Sequence, residues 1–332
     1  MNLPKTDEID YIQFLIAAQK SFTCCEASRC QIELIAHDSF VRLLSRQPTD
    51  TAALWQEVAP LVKRTEGCLV IDDSTLDKPY ARHIELVSHH WSGKHKAVVM
   101  GINLVTLLWT DGNAALPCDC RLYGEETKED GKPKTKNDSF QEMLKTAKER
   151  GFEPKMVCFD SWYASIDNLK LIRTNTWHFL TRLKKNRQVN PDDTKNVAVE
   201  TLEVADTGRV VHLKEFGFVR LFRTVAPNGD GEYWVTNKIE MTEEERQEWE
   251  RQSFKIENYH RGLKQCCAVE RCQCRSKVKQ HGHILLSLRA FVRLEANRLA
   301  TGISWYEAKL DVVRDAIRHY LAMPTIKIGA TA

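Results

Sequence analysis

Apolar residues recur at two different spacings, and these spacings divide the chain into helical and strand-forming stretches. In residues 1–66 the spacing is helical: Ile9, Ile12 and Leu15 fall three residues apart, and Phe40 is followed by Leu43 on the same face. We therefore expect an N-terminal helical region. It would dock on DNA or on a second subunit, or simply pack on the core.

From residue 67 the pattern changes to short apolar runs rich in β-branched residues, which indicate strands. The expected strands are 68–71, 84–88, 96–109, 115–123 and 154–159. Helical periodicity returns at 139–151 and at 165–174, on either side of the last of these strands. This order predicts an α/β domain in which a meander of antiparallel strands is followed by a helix and a further buried strand.

A second block of short strands separates this domain from the C-terminal helices. It comprises 177–183, 209–213, 219–225 and 233–236, with the hairpin-turn residues Asn228-Gly-Asp-Gly231 before the last of them. Thr242 then caps a helix, and 284–299 and 305–320 are helical. We divide the chain into an N-terminal helical region (1–66), the first part of the core (67–175), a β-strand insertion (176–240) and a C-terminal helical part (241–332).

Composition sets limits on this picture. At 332 residues, with 42% hydrophobic and 28% charged residues, the chain is an ordinary globular protein of one or two domains. The net charge of +3 excludes a polycation, so any nucleic-acid surface must come from local clustering. No run of 18 apolar residues or export signal is seen, and the odd number of cysteines, 11, favours a reducing cytoplasm over a disulfide framework.

Carboxylates follow two of the predicted strands. Asp72 and Asp73 come directly after the apolar run 68–71, and Asp160 comes directly after 154–159. The simpler interpretation of the first pair is a turn leaving the strand, but a turn needs only one Asp. Because α/β proteins place their chemistry at the carboxyl ends of buried strands, the repetition indicates a functional site.

A third acid lies on the helix predicted around residues 254–264. Helical spacing puts Glu257, Arg261 and Lys264 on one face, with His260 beside them. Taken alone, this pattern is more typical of a solvated ion-paired helix. Together with the two strand acids, it supplies the carboxylates that a two-metal phosphoryl-transfer site requires, because Mg²⁺ prefers oxygen ligands.

The order of these elements resembles the RNase H-like core of DDE transposases from bacterial insertion sequences, in the group with a β insertion before the catalytic Glu. The matching residues are Ile71-Asp-Asp-Ser-Thr75, Phe159-Asp-Ser-Trp-Tyr163 and Ile256-Glu-Asn-Tyr-His-Arg-Gly-Leu-Lys-Gln265. The resemblance implies an α/β fold with a mixed sheet flanked by helices. It also implies cleavage of the element's ends and their transfer to target DNA, with two Mg²⁺ or Mn²⁺ ions and a homodimer on DNA.

Under this resemblance the catalytic and metal-binding residues are Asp73, Asp72, Asp160 and Glu257. Which Asp of the pair binds metal stays open, with a slight preference for Asp73, which begins the better Asp-x-Thr match. The family's Tyr-Arg-Glu-Lys signature places its Lys at Lys264, but its Arg falls on Ser253 and its Tyr on Glu250. These departures also permit a second interpretation, a transposase-derived protein that binds DNA without cleaving it.

Basic residues cluster on both sides of the proposed site. Residues 251–279 contain eight Lys or Arg and two Glu, and a second group begins the β insertion. Such groups neutralise phosphates, although a charge run is often only a solvated face. The predicted DNA-binding residues are Lys264, Arg261, Arg251, Arg182, Lys184, Lys185 and Arg275. Trp162 could stack on an unpaired base, as could Trp177 and Trp234, although core packing is the simpler interpretation of each.

The cysteines and histidines late in the chain allow a third interpretation, a zinc-stabilised DNA-interaction protein whose acids are merely structural. Cys266-Cys267, Cys272-x-Cys274 and His281-x-His283 are close in sequence, and Zn²⁺ binds such side chains tetrahedrally. The spacing matches no recognised finger, however. Small apolar helix residues and solvent-facing histidines explain the pattern more simply, and the same holds for Cys24, Cys25 and Cys30.

Overall fold

The computed structural model describes residues 4–92, 96–124, 131, 134–225 and 229–326, which form two compact units. The helical unit consists of the described residues of Met1–Asp50, Arg82–Glu85 and Arg261–Ala332. The sheet unit consists of those of Thr51–Ala81 and Leu86–His260. Within the described ranges, no helix has the length and apolar character needed to cross a bilayer.

The sheet unit contains eleven strands among its described residues, all in one sheet. They are β1 Cys68–Asp77, β2 Ser88–Ser92, β3 Ala97–Thr110, β4 Leu116–Leu122, β5 Met156–Phe159, β6 Phe179–Leu183, β7 Gln188–Asn190, β8 Val197–Ala198, β9 Arg209–Leu213, β10 Gly217–Val225 and β11 Gly231–Thr236. Its helices are α4 Ala52–Val58, α5 Lys136–Glu149, α6 Ile166–Thr174, α7 Glu243–Ser253 and the first half of α8 Lys255–Cys266.

The centre of the sheet has the order β4-β3-β1-β5-β6. The pairs β4–β3 and β3–β1 are antiparallel, whereas β1–β5 and β5–β6 are parallel. The parallel strands are short and apolar because both of their faces are covered; every residue of β5 is buried. This mixed sheet with its flanking helices confirms the expected α/β, RNase H-like fold class.

The inserted strands extend the same sheet. β11 lies antiparallel to β6, and β10, β9, β7 and β8 follow outward in that order. β10 and β11 pair as far as Val225 and Gly231, on either side of the predicted hairpin turn. Asn228 of that turn lies outside the described residues. The insertion therefore widens the sheet at the edge formed by β6.

Two strand predictions need correction. The strand expected at 84–88 is wrong: β2 begins at Ser88, and the backbone N–H of Glu85 donates to the carbonyl of Arg275 within the helical unit instead of joining the sheet. The first strand does not end at Ile71 but runs on to Asp77, because its antiparallel pairing with β3 continues after its parallel partner β5 has ended.

In the helical unit, α1 Glu8–Ala17, α2 Cys24–Arg29, α3 His37–Ser45 and α10 Trp305–Ala322 accompany α9 Lys277–Thr301 and the second half of α8. α9 is buried along most of its length. Gly282 lets α3 approach closely, because a Cβ at this position would collide with the carbonyl of Leu44. The Lys309 amine donates to the carbonyls of Ile16, Ala18 and Cys266, so it satisfies acceptors left open where α1 and α8 end.

Candidate active site

Strand register brings the first two acids together. β1 and β5 pair in parallel from Cys68 with Met156 to Ile71 with Phe159. The next residue on β1 is Asp72, and Asp160 directly follows the end of β5, so the two acids come at the same level of adjacent strands. Strand pairing alone would place these acids side by side, whatever the loops around them do.

The third acid comes from a break between two helices. α7 ends at Ser253, Phe254 forms its C-cap, and α8 begins at Lys255. The backbone N–H of Glu257 donates to the carbonyl of Phe254 at 3.2 Å, so Glu257 lies in the first turn of α8. A carboxylate is favoured there by the helix dipole.

Asp72, Asp160 and Glu257 all line one open cleft of about 180 Å³ in the sheet unit. The remaining lining residues come from β1, β5, β6, β11 and the α7–α8 junction, and are Val70, Ile71, Cys158, Phe159, Leu180, Arg182, Trp234, Ser253, Phe254 and Ile256. Asp72, Asp160 and Glu257 are the acidic residues of this lining, and Arg182 is its basic residue. Asp73 is not part of this lining.

The charge on Asp72 is poorly compensated. Burial raises the pKa of Asp72 well above its ordinary value, and the neighbouring charges of Asp73, Asp160 and Glu257 raise it further. The nearest basic atom is Nδ1 of His260, 4.0 Å from a carboxylate oxygen of Asp72. Burial also raises the pKa of Asp160, although the backbone N–H of Trp162 donates to its carboxylate at 2.9 Å.

Asp73 points to the opposite face of β1, because successive side chains of a strand alternate. There its carboxylate accepts hydrogen bonds from Asn103 Nδ2 at 2.6 Å, from Lys136 Nζ at 2.7 Å and from Tyr163 Oη at 2.8 Å. Burial would raise the pKa of Asp73, but the Lys136 charge and the three hydrogen bonds outweigh it and lower that pKa below its ordinary value.

The sequence did not predict the three donors to Asp73, because they lie 30, 63 and 90 residues away along the chain. No spacing rule connects them with Asp73. The sequence does point to one of the three donors. Tyr163 is the last residue of the motif Asp160-Ser-Trp-Tyr163, which carries the resemblance. Asp160 of this motif shares the cleft with Asp72, whereas Tyr163 donates to Asp73 on the opposite face of β1.

The acids of the cleft have the chemistry that a hard divalent cation requires, since all three donors are carboxylates. Among the described residues, however, no group of three or more His, Cys, Asp or Glu is drawn together closely enough to hold a metal ion. A cation that takes only one or two protein carboxylates and keeps several waters would fit this looser arrangement.

Among the predicted DNA-binding residues of the sheet unit, Arg182 is the one in the cleft. Its guanidinium donates to Glu232 at 2.7 Å and lies 5.4 Å from the Trp234 ring. Lys184 and Lys136 place their amines 5.5 and 6.0 Å from the ring of Trp162, which is 59% exposed. The exposed Lys185 and Arg251 form surface ion pairs with Asp230 and Glu248, while Trp177 and Trp234 are buried.

The other predicted DNA-binding residues belong to the helical unit. Lys264 pairs with Glu270 at 2.9 Å, and Arg261 and Arg275 are exposed. Three of the seven basic residues named from the sequence are thus in a different compact unit from the acids.

Both positions that depart from the signature are occupied by side chains with local roles. Glu250 accepts from Arg246 at 2.6 Å, within a buried guanidinium cluster that also includes Glu243. Ser253 lines the cleft and its hydroxyl donates to the carbonyl of Glu250 at 2.7 Å. The cleft therefore has no Arg at the signature position, and Arg182 on β6 is the guanidinium that lines it.

His283, one member of the zinc interpretation, is committed elsewhere. Its Nε2 lies 3.0 Å from the carbonyl of Ala268, which can only accept, so Nε2 donates. Nδ1 must then accept from the hydroxyl of Tyr11, at 2.9 Å. With both ring nitrogens in buried hydrogen bonds, His283 has a structural role.

The sheet is RNase H-like, and one cleft contains carboxylates from two adjacent strands and from a later helix. This arrangement is typical of the DDE enzymes that the sequence resembles. The family model of the DDE superfamily endonucleases matches residues 27–218, more than half of the 332 residues, and the chain belongs to that family. The match includes Asp72, Asp73 and Asp160 and ends before Glu257. No curated protein matches the chain.

Proposed function

We propose that this protein is the DNA transposase of an insertion sequence, which cleaves the ends of its element and transfers them to target DNA. The observation that carries the proposal is the convergence of Asp72, Asp160 and Glu257 on one cleft of an RNase H-like sheet. Membership of the DDE superfamily endonucleases supports DNA as the substrate. The protein would act as a homodimer on DNA, because two ends must be joined in one reaction.

Within this proposal Asp72, Asp160 and Glu257 would hold two Mg²⁺ or Mn²⁺ ions. Asp72 is preferred over Asp73 because it faces the cleft and lacks a cation of its own, whereas Asp73 already accepts three hydrogen bonds. Such ions supply activation of the attacking hydroxyl and stabilisation of the leaving oxygen. Asp73 holds Tyr163 and Lys136 in place and so positions the segment that carries Asp160.

The protein's own cations would hold the DNA backbone. Arg182 lines the acid cleft, where a guanidinium can grip a phosphate in place of the signature Arg that Ser253 replaces. The backbone N–H of Trp162 donates to Asp160, and the Lys184 amine lies 5.5 Å from the Trp162 ring, so these two side chains would hold a nucleotide next to the scissile phosphate. We retain Lys185, Arg251, Arg261, Lys264 and Arg275 as backbone contacts, each expected to contribute to salt-dependent affinity.

One observation favours a second candidate function, a DNA-binding protein that no longer cleaves. Ser253 and Glu250 stand where the family signature has Arg and Tyr, and both make local contacts that a catalytic role would not require. Such a protein would keep its basic surfaces and bind the element's ends without metal-dependent chemistry.

A cleavage assay on labelled element ends separates the two functions. The unaltered protein should cut the ends only when Mg²⁺ or Mn²⁺ is present. Asp160→Asn and Glu257→Gln should each abolish cutting, while DNA affinity stays within about twofold, because neither residue is a phosphate-binding cation. If the unaltered protein binds the ends and never cuts them, the second function is correct; if either variant still cuts, the assignment of the cleft is wrong.

A further inference from the structure

An antiparallel ribbon at one edge of the sheet carries exposed apolar side chains. It consists of β2 and the first residues of β3, and we call its described residues, 88–92 and 96–100, the β2–β3 ribbon. Trp91 on β2 lies directly opposite Val98 on β3, and the two are 67% and 60% exposed. A single exposed apolar residue is ordinary, but a cross-strand pair with this exposure is a candidate binding surface.

A third exposed apolar residue lies next to the ribbon. The backbone N–H of Lys78, directly after β1, donates to the carbonyl of Met100 on β3 at 2.9 Å. Tyr80 follows two residues later, in a turn, and is 95% exposed. The exposed surface therefore extends from the ribbon to the end of β1.

Strand register places the exposed pair on the same face of the sheet as the cleft acids. Asp72 lies opposite Thr106 on β3, and residues opposite each other in an antiparallel pair share a face. The pairing of β3 is continuous from Thr106 back to Val98, an interval of eight residues, so alternation returns Val98 to the face of Asp72. Trp91, opposite Val98, lies on that face too.

The other face of the ribbon supports this placement. His90, one residue before Trp91, is buried, and its ring lies 6.0 Å from the ring of Tyr123. The Tyr123 ring in turn lies 5.7 Å from the Lys136 amine, which donates to Asp73. His90 is therefore on the face that carries Asp73, and its neighbour Trp91 is on the opposite face.

The ribbon lies beyond the acids along the direction of the strands. An antiparallel strand rises about 3.4 Å per residue, so eight residues place Val98 about 27 Å along β3 from the level of Asp72. Successive phosphates of one DNA strand are about 3.4 Å apart along the helix axis. A duplex held over the cleft and running along β3 would thus reach the ribbon about eight base pairs from the scissile phosphate.

The charge and the width of the ribbon fit duplex DNA. Its described residues include two His and the exposed Lys96, which directly precedes β3, and they include no Asp or Glu. A two-stranded ribbon is narrow enough to enter the major groove, where apolar side chains contact thymine methyl groups. A lysine beside the groove can neutralise a phosphate.

We propose that the β2–β3 ribbon is a second DNA-binding element of the sheet unit, which enters the major groove about eight base pairs from the phosphate that is cut in the cleft. The inference rests on the proposed function, because the DNA must lie over the acids for the ribbon to reach it. Trp91 and Val98 contact base edges in the groove, whereas Lys96 and the hydroxyl of Tyr80 contact the backbone. These contacts add affinity and orient the duplex in the cleft.

The first test compares the binding of end duplexes of two lengths, and it does not depend on cleavage. Trp91→Thr keeps a strand-forming residue on an edge strand, so the fold should be retained. This variant should bind a duplex that extends about 15 base pairs on both sides of the cleavage site about tenfold more weakly. A duplex that extends only about four base pairs should bind equally well. Phe218→Thr, at an aromatic residue that is 69% exposed on β10, is the matched control and should weaken neither.

Two further measurements locate the groove and the charge. Dimethyl sulfate methylates guanine N7, which lies in the major groove. Methylation about eight base pairs from the cleavage site should interfere with binding of the unaltered protein, and Trp91→Thr should lose that interference alone. Lys96→Asn removes the charge and suits the left-handed backbone at this position, where φ is 48°. It should reduce the slope of log affinity against log salt by about one.

The outcomes separate this inference from the proposed function. If Trp91→Thr and Lys96→Asn bind the long duplex as tightly as the unaltered protein, or if both duplexes are weakened equally, the ribbon assignment is wrong, whether or not the ends are cut. A change of molecular mass by light scattering with unchanged DNA affinity would assign the surface to a second copy of the chain and also overturn it. If the length-dependent loss appears in a protein that never cuts the ends, the ribbon assignment holds and the transposase activity does not.

Discussion

Each face of β1 carries an Asp, and the two differ in the charges and hydrogen-bond donors around their carboxylates. On one face Asp72 shares a cleft with Asp160 and Glu257, and the neighbouring charges of Asp73, Asp160 and Glu257 raise the pKa of Asp72. On the other face Asp73 accepts hydrogen bonds from Asn103, Lys136 and Tyr163. One residue step along the strand separates an uncompensated carboxylate from a compensated one.

The difference supports Asp72, rather than Asp73, as the acid of the proposed chemistry. A buried carboxylate with a cation and two further donors is satisfied and stabilises the fold, whereas one surrounded by other carboxylates costs free energy until a cation arrives. Proteins retain such costs mainly at functional sites. The pKa shifts agree, because that of Asp72 is upward and that of Asp73 is downward.

The largest expected effect is on catalysis. Asp72→Asn should lower the rate of end cleavage in Mg²⁺ by about 10³-fold or more, since it removes a cleft carboxylate that charge stabilisation requires. Asp73→Asn is the matched control on the opposite face, with the same chemical change one residue away. It should retain measurable cleavage, with a loss of about tenfold from misplacement of the Asp160 segment.

Single-turnover cleavage of labelled ends measures both variants, with DNA affinity measured in parallel. The reverse pattern, in which Asp73→Asn is dead and Asp72→Asn cuts, would assign the metal to Asp73. Equal losses would mean that the two faces of β1 act as one site.

The next effect is on stability, where we expect the face with Asp73 to matter more than the face with Asp72. Lys136→Met leaves the partly buried Asp73 without its cation, so the free energy of unfolding should fall by about 2 kcal/mol. Asp72→Asn removes repulsion in the cleft, so the same quantity should be unchanged or slightly higher. Urea unfolding of both variants at neutral pH, without divalent ions, gives the comparison.

Lys145→Met, on the same helix α5, is the control for loss of a helical lysine and should change stability by less than about 0.5 kcal/mol. If Lys136→Met is as stable as this control, the ion pair with Asp73 contributes nothing and Asp73 is not a structural acid.

Much of this comparison was within reach of the sequence. Apolar runs followed by Asp72, Asp73 and Asp160 predicted the two strands, and Glu257 fell on the expected helix. Alternation puts Asp72 and Asp73 on opposite faces only because β1 continues to Asp77, an extension that the apolar run 68–71 did not predict. The pattern did not reveal which face would border the cleft, because that depends on the side of the sheet to which the α7–α8 junction returns.

Other parts were beyond sequence reasoning for a physical reason. The partners of Asp73 are brought to it by tertiary pairing between segments far apart in sequence, which local periodicity does not encode. The strand expected at 84–88 failed similarly: its β-branched pattern was real, but Glu85 bonds with Arg275 and Lys277 within the helical unit. Tertiary context overrode local propensity at that position.

A smaller effect, on DNA affinity, is expected from Arg182, which lines the cleft on the same face as Asp72. Arg182→Gln should weaken binding of end DNA by about tenfold and reduce the slope of log affinity against log salt by about one, because one phosphate contact is lost. Lys214→Gln, an exposed charge near the outer edge of the insertion, is the control and should leave the slope unchanged. An unchanged slope for Arg182→Gln would remove Arg182 from the phosphate contacts.

The smallest effect concerns the ring beside Asp160. Trp162 is 59% exposed, and the amines of Lys136 and Lys184 lie near its ring, so it presents an aromatic surface beside two cations. Stacking of one unpaired base on such a ring is worth about 1 kcal/mol or somewhat more, so Trp162→Ala should weaken binding of ends with an unpaired terminal nucleotide by about fivefold. Fully paired DNA should bind Trp162→Ala nearly as well as the unaltered protein.

Phe218→Ala is the control. It removes an aromatic residue that is 69% exposed on the insertion, and it should change the binding of neither DNA. If Trp162→Ala weakens both DNAs equally, the ring contacts the backbone or supports the lysines, and the cleft side of β1 has no base-stacking surface at this position.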